Sequence, residues 1–239
     1  MTEALFRNDA YLKDCNATIV GHTEQGIILD RSVFYPEGGG QPGDRGVLTV
    51  SGMINGDEIN VIDTRKLDNG AIEHVLHDPH RRNVLPVETR VNAAIDWPYR
   101  YRHMRMHTCL HLLCALIPFS VTGGSLNQDK GRLDFDMAEG VDKEELTTKL
   151  NALIEKHAPV EHQWISDEEM RENMALVRTM SVAPPMGQGK VRLVAVEEID
   201  LQPCGGTHVA NTAEIGKVRI GKVEKKGKHN RRINVHLEI

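Results

Sequence analysis

Up to about residue 95 the chain runs in short apolar bursts broken by turns, after which its texture changes to helical spacing. That switch constrains the fold more than any other feature. Ala17–Val20, Gly26–Leu29, Gly46–Val50, Ile59–Ile62 and Ala71–Leu76 each suit a strand, and Asn55-Gly56-Asp57 and Asp68-Asn69-Gly70 are turn formers between them. Several short strands with regular turn signals predict a small β-barrel or sandwich. One connection, Phe34-Tyr35-Pro36-Glu37-Gly38-Gly39-Gly40-Gln41-Pro42-Gly43, is too rich in Gly and Pro for strand or helix, so it reads as a loop with special backbone needs.

Beyond the switch, Asp96 can cap a helix, Pro98 suits its first turn and Pro118 ends it. Asp142 with Glu145 forms a capping box ahead of Leu146, Leu150, Leu153 and Ile154, and Pro159 stops that helix. Ser166 with Glu169 repeats the box for a shorter helix near 167–177. Val160–Ile165, Lys190–Val196 and Ile233–Ile239 read as strands, and Ser181–Gly189 as a surface loop. The expected class is α+β: a small N-terminal β-barrel module (1–95), then a C-terminal α/β module with an antiparallel sheet and helices (96–239). A length of 239 residues fits one to two domains. With 40% hydrophobic and 26% charged residues, a disordered or fibrous chain is excluded. No apolar run is long enough to span a membrane, and the N-terminus lacks a signal-peptide pattern. Cys15, Cys109, Cys114 and Cys204 are too irregularly spaced for a disulfide framework. The expectation is a cytoplasmic protein with reduced thiols free to bind metal.

The strongest chemical signal is His107-Thr108-Cys109-Leu110-His111. On a helix, residues four apart sit one turn above each other, so two imidazoles share a face and make a metal clip. A zinc protease would carry Glu after the first His. Thr108 stands there, so the helix has no built-in general base. Cys114 falls about 20° off the His107 direction, as a spare ligand or a small buried thiol. A second pair, Cys204-Gly205-Gly206-Thr207-His208, folds back on one centre if its glycines permit the turn. Together the two pairs offer three nitrogens and a thiolate, a set that matches Zn²⁺ in type and number. Cys204 is read as a ligand rather than a nucleophile, and no catalytic residue is assigned beyond the metal site.

With these motifs in hand, the chain resembles the free-standing alanyl-tRNA editing proteins, relatives of the editing domain of alanyl-tRNA synthetase. The likeness rests on His107/His111 with Cys204/His208, on the loop from Phe34 to Asp44, on Lys130-Gly131-Arg132-Leu133-Asp134-Phe135 and on the basic stretch Lys225–Arg232. It implies a zinc-dependent hydrolase that removes wrong amino acids from tRNA specific for alanine, chiefly serine and also glycine. An activation pocket sized for alanine cannot strongly reject a side chain that merely adds a hydroxyl. A second site that hydrogen-bonds the hydroxyl can favour serine, because alanine would leave that polar group unpaired. Gln41, beside Gly38, Gly39 and Gly40, is the first candidate for that contact. Thr122 and Ser125, in the predicted loop Val121–Ser125, are weaker ones. Four protein ligands ordinarily close a zinc site, whereas catalytic zinc keeps a position open. An alternative is therefore a non-catalytic, zinc-stabilised RNA-binding module. The chain has no P-loop or ATP-dependent activation domain, so it is expected to act in trans on tRNA already charged. The sequence is silent on oligomeric state.

Charge completes the picture. The net value of −5 argues at first against a nucleic-acid partner. Yet Lys217–Arg232 holds eight Lys or Arg against one Glu, a local +7 that leaves −12 for the remainder. Lys225, Lys226, Lys228, Arg231 and Arg232 are the expected tRNA contacts, with Arg100, Arg102 and Arg105 adding charge upstream of the clip.

Overall fold

The computed structural model describes residues 1–50, 58–180, 186 and 189–238. The Asn55–Asp57 turn, most of the predicted 181–189 loop and Ile239 lie outside the described residues. By density of contacts the chain divides into two units, Met1–Tyr101 and Arg102–Ile239.

The first unit carries β1 (Glu3–Ala4), β2 (Asp14–His22), β3 (Gly26–Leu29), β4 (Arg31–Ser32), β5 (Gly46–Val50), β6 (Glu58–Lys66), β7 (Ile72–Leu76) and β8 (Arg90–Ile95). Six of these close an antiparallel barrel in the order β2-β3-β7-β6-β5-β8, and β1 pairs with β4 in parallel outside it. Closure leaves the barrel no open edge. Period-2 alternation sorts the side chains. Ile59 and Val61 of β6 join Ala17, Ile19, Ile27, Leu29, Leu48, Val91 and Ala93 in the core, while Ile62 points outward. Gly46 is required by a close approach: a Cβ there would stand 2.1 Å from the Ala94 carbonyl oxygen.

α1 (Trp97–Leu116) starts in the first unit and continues into the second. Asp96 Oδ1 accepts from Tyr99 N at 3.2 Å, so the predicted cap is present. The second unit adds β9 (Val121–Leu126), β10 (Lys130–Phe135), α2 (Lys143–Ile154), β11 (Val160–Ser166), α3 (Asp167–Glu172), β12 (Lys190–Val196), β13 (Asp200–Pro203), β14 (Val218–Gly227) and β15 (Asn230–Leu237). They form a four-stranded sheet, β14-β15-β10-β9, and a three-stranded sheet, β11-β12-β13, every pairing antiparallel. The chain is α+β, with strands in the majority.

Several local expectations change. The Val121–Ser125 segment is strand β9, not a loop: its small residues let it lie flat on β10, where Gly124 has Leu133 Cδ2 2.9 Å from a would-be Cβ. At α2, Asp142 caps the amides of Glu144 and Glu145, but Glu145 turns its carboxylate to Lys149 instead of back to the cap. That helix ends at Ile154, before His157 enters the left-handed region at φ 54° and well ahead of Pro159. The box at Ser166 and Glu169 is complete, and the helix it starts is only six residues long. β1, β4, β8, β10, β13 and β14 carried no strand assignment from the sequence.

Candidate metal centre

All four residues of the proposed clip lie in the second unit. His107 and His111 project from consecutive turns of α1, and Cys204 and His208 from the segment after β13. The helix is brought close to β10 by Gly131, where a Cβ would meet Met106 Sδ at 2.7 Å and Leu110 Cδ2 at 3.0 Å. One ligand atom from each of the four residues falls within 4.8 Å of all the others. Cys204 Sγ stands 3.3 Å from His208 Nε2 and 3.5 Å from His107 Nε2. A tetrahedral ion bound by imidazole nitrogen and thiolate requires N···S separations of about 3.6 Å, given bonds of about 2.1 and 2.3 Å. The donor set therefore fits a four-coordinate transition-metal ion. Cys114 lies outside it: burial pushes its thiol, like that of Cys109, up to about 12, so both stay protonated.

The ligands are themselves held. His111 Nδ1 lies 3.0 Å from Asp200 Oδ2, and Gln202 Nε2 donates to that same oxygen at 2.7 Å. His208 Nδ1 lies 3.1 Å from Thr108 Oγ1. The Thr108 hydroxyl donates to Met104 O at 3.0 Å, so it accepts from His208 and from Val209 N, 3.2 Å away. In both histidines Nδ1 is occupied as a donor and Nε2 is left as the ligand atom, a pattern that orients an imidazole and raises its basicity. Burial works against charge on His111, but Asp200 and Cys204 push it up to about 9. Burial and the His107 charge hold His208 well below the ordinary range. Burial raises the Cys204 thiol, and the surrounding His107 and His208 outweigh it, so the group lies well below its usual value.

The Cys204–His208 turn does not depend on left-handed glycines, because neither Gly205 nor Gly206 has positive φ. Arg192 holds it instead, donating through Nη1 to the carbonyls of Cys204 (3.1 Å) and Gly206 (3.0 Å), while Gly206 N points at Cys204 Sγ (3.4 Å). Sequence reasoning missed Thr108, Arg192, Asp200 and Gln202 as supports. The spacing Asp200-x-Gln202-x-Cys204 was the available signal, since alternate residues of a strand share a face.

Gly38 and Gln41 exchange backbone hydrogen bonds (3.1 and 2.9 Å), and Tyr35 Oη donates to Gly38 O at 2.8 Å. Gly39 and Gly40 are exposed at φ 57° and 83°, while the Gln41 side chain is fully buried in the first unit. Thr122 Oγ1 donates to Asp134 O (3.2 Å) and accepts from Asn230 Nδ2 (3.0 Å). The basic stretch forms the β14–β15 hairpin, with Lys225, Lys226 and Lys228 exposed. Arg231 donates to Gly227 O, Asn230 O and Ala138 O; Arg232 grips Asp134 with two bonds of 2.8 Å. The upstream arginines each have partners within the fold. Arg100 is buried on Asp44, Arg102 pairs with Asp129 at 3.0 Å, and Arg105 donates to Ile215 O.

Residues 191–234 match the family described as the threonyl and alanyl tRNA synthetase second additional domain, and residues 4–99 match class II (A) tRNA synthetases. Barrel, sheet unit and histidine–cysteine cluster thus define a relative of tRNA synthetase domains. Alanyl-tRNA editing protein AlaX-M of Methanosarcina barkeri is 39% identical over 98% of both chains. Its counterpart from Pyrococcus horikoshii is 31% identical over 100% of this chain and 99% of its own. An alanine–tRNA ligase of Metallosphaera sedula is 34% identical over 94% of this chain but only 25% of its own length. The chain belongs to the alanyl-tRNA editing protein family.

Proposed function

We propose that the protein is an aminoacyl-tRNA deacylase that works in trans in the cytoplasm on alanine-specific tRNA carrying the wrong amino acid, serine first and glycine second. The observation that carries this is the convergence of His107, His111, Cys204 and His208 within 4.8 Å, in a chain whose full-length relatives are named alanyl-tRNA editing proteins. Zinc is the ion the donor set suits best, and when bound it supplies a positive centre that orients or polarises the ester end. Asp200 and Thr108 fix the imidazoles that would hold it, and Arg192 fixes the thiolate turn. The reaction is hydrolysis: water adds to the ester carbon, the bond to the ribose oxygen breaks, and that oxygen takes up a proton.

Gln41 with Gly38, Gly39 and Gly40, and Thr122, are the proposed contacts of the amino acid, and Ser125, in register with Arg132 and Asn234, is proposed to touch the RNA part of the substrate. Lys225, Lys226, Lys228, Arg231 and Arg232 are proposed to meet the tRNA. Deacylation of seryl-, glycyl- and alanyl-tRNA of the alanine type, with zinc-loaded and chelated protein, tests the reading. Serine release well above alanine release, lost on chelation, is expected; equal release of all three overturns it. A second reading, a zinc-stabilised RNA-binding module, is favoured by the count of four donors. It would show tight zinc and RNA binding with no release of serine.

A further inference from the structure

The outer face of the four-stranded sheet in the second unit holds a depression of about 260 Å³, lined by residues that include Ser125, Lys130, Arg132, Glu224, Arg232 and Asn234. Register puts Ser125, Arg132 and Asn234 in one row across β9, β10 and β15, with Gly123, Asp134, Arg232 and Glu224 in the next. The opposite face turns Gly131 toward Met106 and Leu110 of α1, so this polar face belongs to a different side of the sheet from the metal helix.

Three features point to a ligand. Asn234 is 2% exposed, and its Nδ2 donates to Lys222 O (2.6 Å) and Glu224 Oε1 (3.2 Å). Both neighbours are acceptors, which fixes the amide orientation and leaves Oδ1 as a buried acceptor without a donor among the described residues. A buried acceptor in that state calls for a donor from outside. Next, the Ser125 hydroxyl and Lys130 Nζ have no partner among the described residues, and Arg132 commits only Nη1, to Asp134 at 3.0 Å. Finally, Lys130, Arg132 and Arg232 against Glu224 and Asp134 leave the depression one net positive charge. An anion and a hydroxyl donor together satisfy this set. A ribose-phosphate offers both, with its 2′-hydroxyl as the donor.

We propose that the depression binds a ribose-phosphate unit of an RNA strand, the phosphate on Lys130 and Arg132 and the 2′-hydroxyl donating to Asn234 Oδ1. As a site for tRNA it rests on the editing function proposed above; as an RNA site it stands without it. The test uses the full-length protein and a hairpin RNA with a single-stranded 3′ tail, its binding followed by fluorescence anisotropy at several salt concentrations. Lys130→Ala, at an exposed side chain without a partner, is expected to weaken binding three- to tenfold and to reduce the salt slope by about one phosphate contact. A scan of single 2′-deoxy positions along the tail should find one that weakens wild-type binding severalfold and has no effect on Asn234→Ser. Wild-type affinity in both variants, each with an unchanged melting temperature, overturns the proposal. So does a deoxy effect of equal size in Asn234→Ser. If adenosine 5′-monophosphate alone binds as tightly as the hairpin, with the same loss in Lys130→Ala, the site belongs to a free nucleotide and the RNA assignment falls. Seryl-tRNA hydrolysis by the wild type that Lys130→Ala leaves untouched, with binding also unchanged, sinks only this inference. RNA binding without hydrolysis sinks the editing function and leaves the depression intact.

Discussion

Thr108 shows how much a single hydroxyl can carry. In the sequence it registers as the absence of a protease glutamate; in the fold it accepts from His208 Nδ1 and Val209 N while donating to Met104 O. Thr108→Val keeps the shape and removes the acceptor, so His208 loses the contact that orients its ring. Zinc affinity, read by competition with a chromophoric chelator, should fall between ten- and a hundredfold, and Thr108→Ser should recover most of it. Unchanged affinity in Thr108→Val would show that His208 needs no such support. The four candidate ligands were legible because two i, i+4 pairs of His and Cys together suit a metal ion in type and number. Their supports were not, because Thr, Asp, Gln and Arg have many ordinary uses and only tertiary placement selects one. A second residue-scale consequence lies in the barrel. His74 is fully buried, its Nε2 2.7 Å from Ser32 Oγ, and burial drives its pKa down from 6.5 to about 4. The unfolded chain takes up a proton below pH 6.5, and the folded barrel does not until about pH 4. Stability from this group is therefore complete above 6.5 and lost progressively between 6.5 and 4, by about 2 kcal/mol from pH 7 to pH 5. Urea unfolding of wild type and His74→Gln at those two pH values checks it: the variant should show a smaller loss by about that amount.

At the scale of elements, the period-2 strands of the barrel were readable because one face of each is buried in a common core, and the helices because caps and prolines mark their ends. β9 was not readable. Thr122, Gly123 and Gly124 have the composition of a loop, and only pairing with β10 makes them a strand. The Gly-rich connection is likewise more than a loop. Asp44, at its end, is fully buried and meets Arg100 of α1, which also donates to Val33 O and Ala10 O. Tyr35 N donates to the same Asp44 oxygen at 2.7 Å. One buried pair thus ties the first turn of α1 to the segment that carries Gly38–Gln41. Removing one partner of a buried pair strands the other's charge, so Arg100→Leu should cost about 3–5 kcal/mol in urea unfolding. Asp44→Leu combined with Arg100→Leu should cost less than the sum of the two single changes, since neither charge is then left alone. Strict additivity would mean that the pair contributes no coupling.

For the whole molecule, the sum of charges hides their distribution. Lys217–Arg232 carries +7 in a chain of net −5, and its exposed lysines lie on one hairpin. Domain organisation bears on stability in a way that can be measured directly. The barrel core of Ile19, Ile27, Leu29, Leu48 and Val91 is one cluster, and Met170, Val191 and Leu193 form another in the second unit. All four candidate metal ligands belong to the second unit. A ligand that binds the folded form alone stabilises what it binds, by about 2.7 kcal/mol at a free concentration one hundred times its dissociation constant. The two tryptophans fall one to each unit, Trp97 in the first and Trp164 in the second. Single-tryptophan proteins, Trp164→Phe and Trp97→Phe, therefore report the units separately during denaturant unfolding. Zinc should move the midpoint seen by Trp164 to higher denaturant and chelation should return it, while the midpoint seen by Trp97 stays in place. Equal shifts at both tryptophans would mean that the units unfold as a single cooperative body; no shift at either would remove the metal from the second unit's stability.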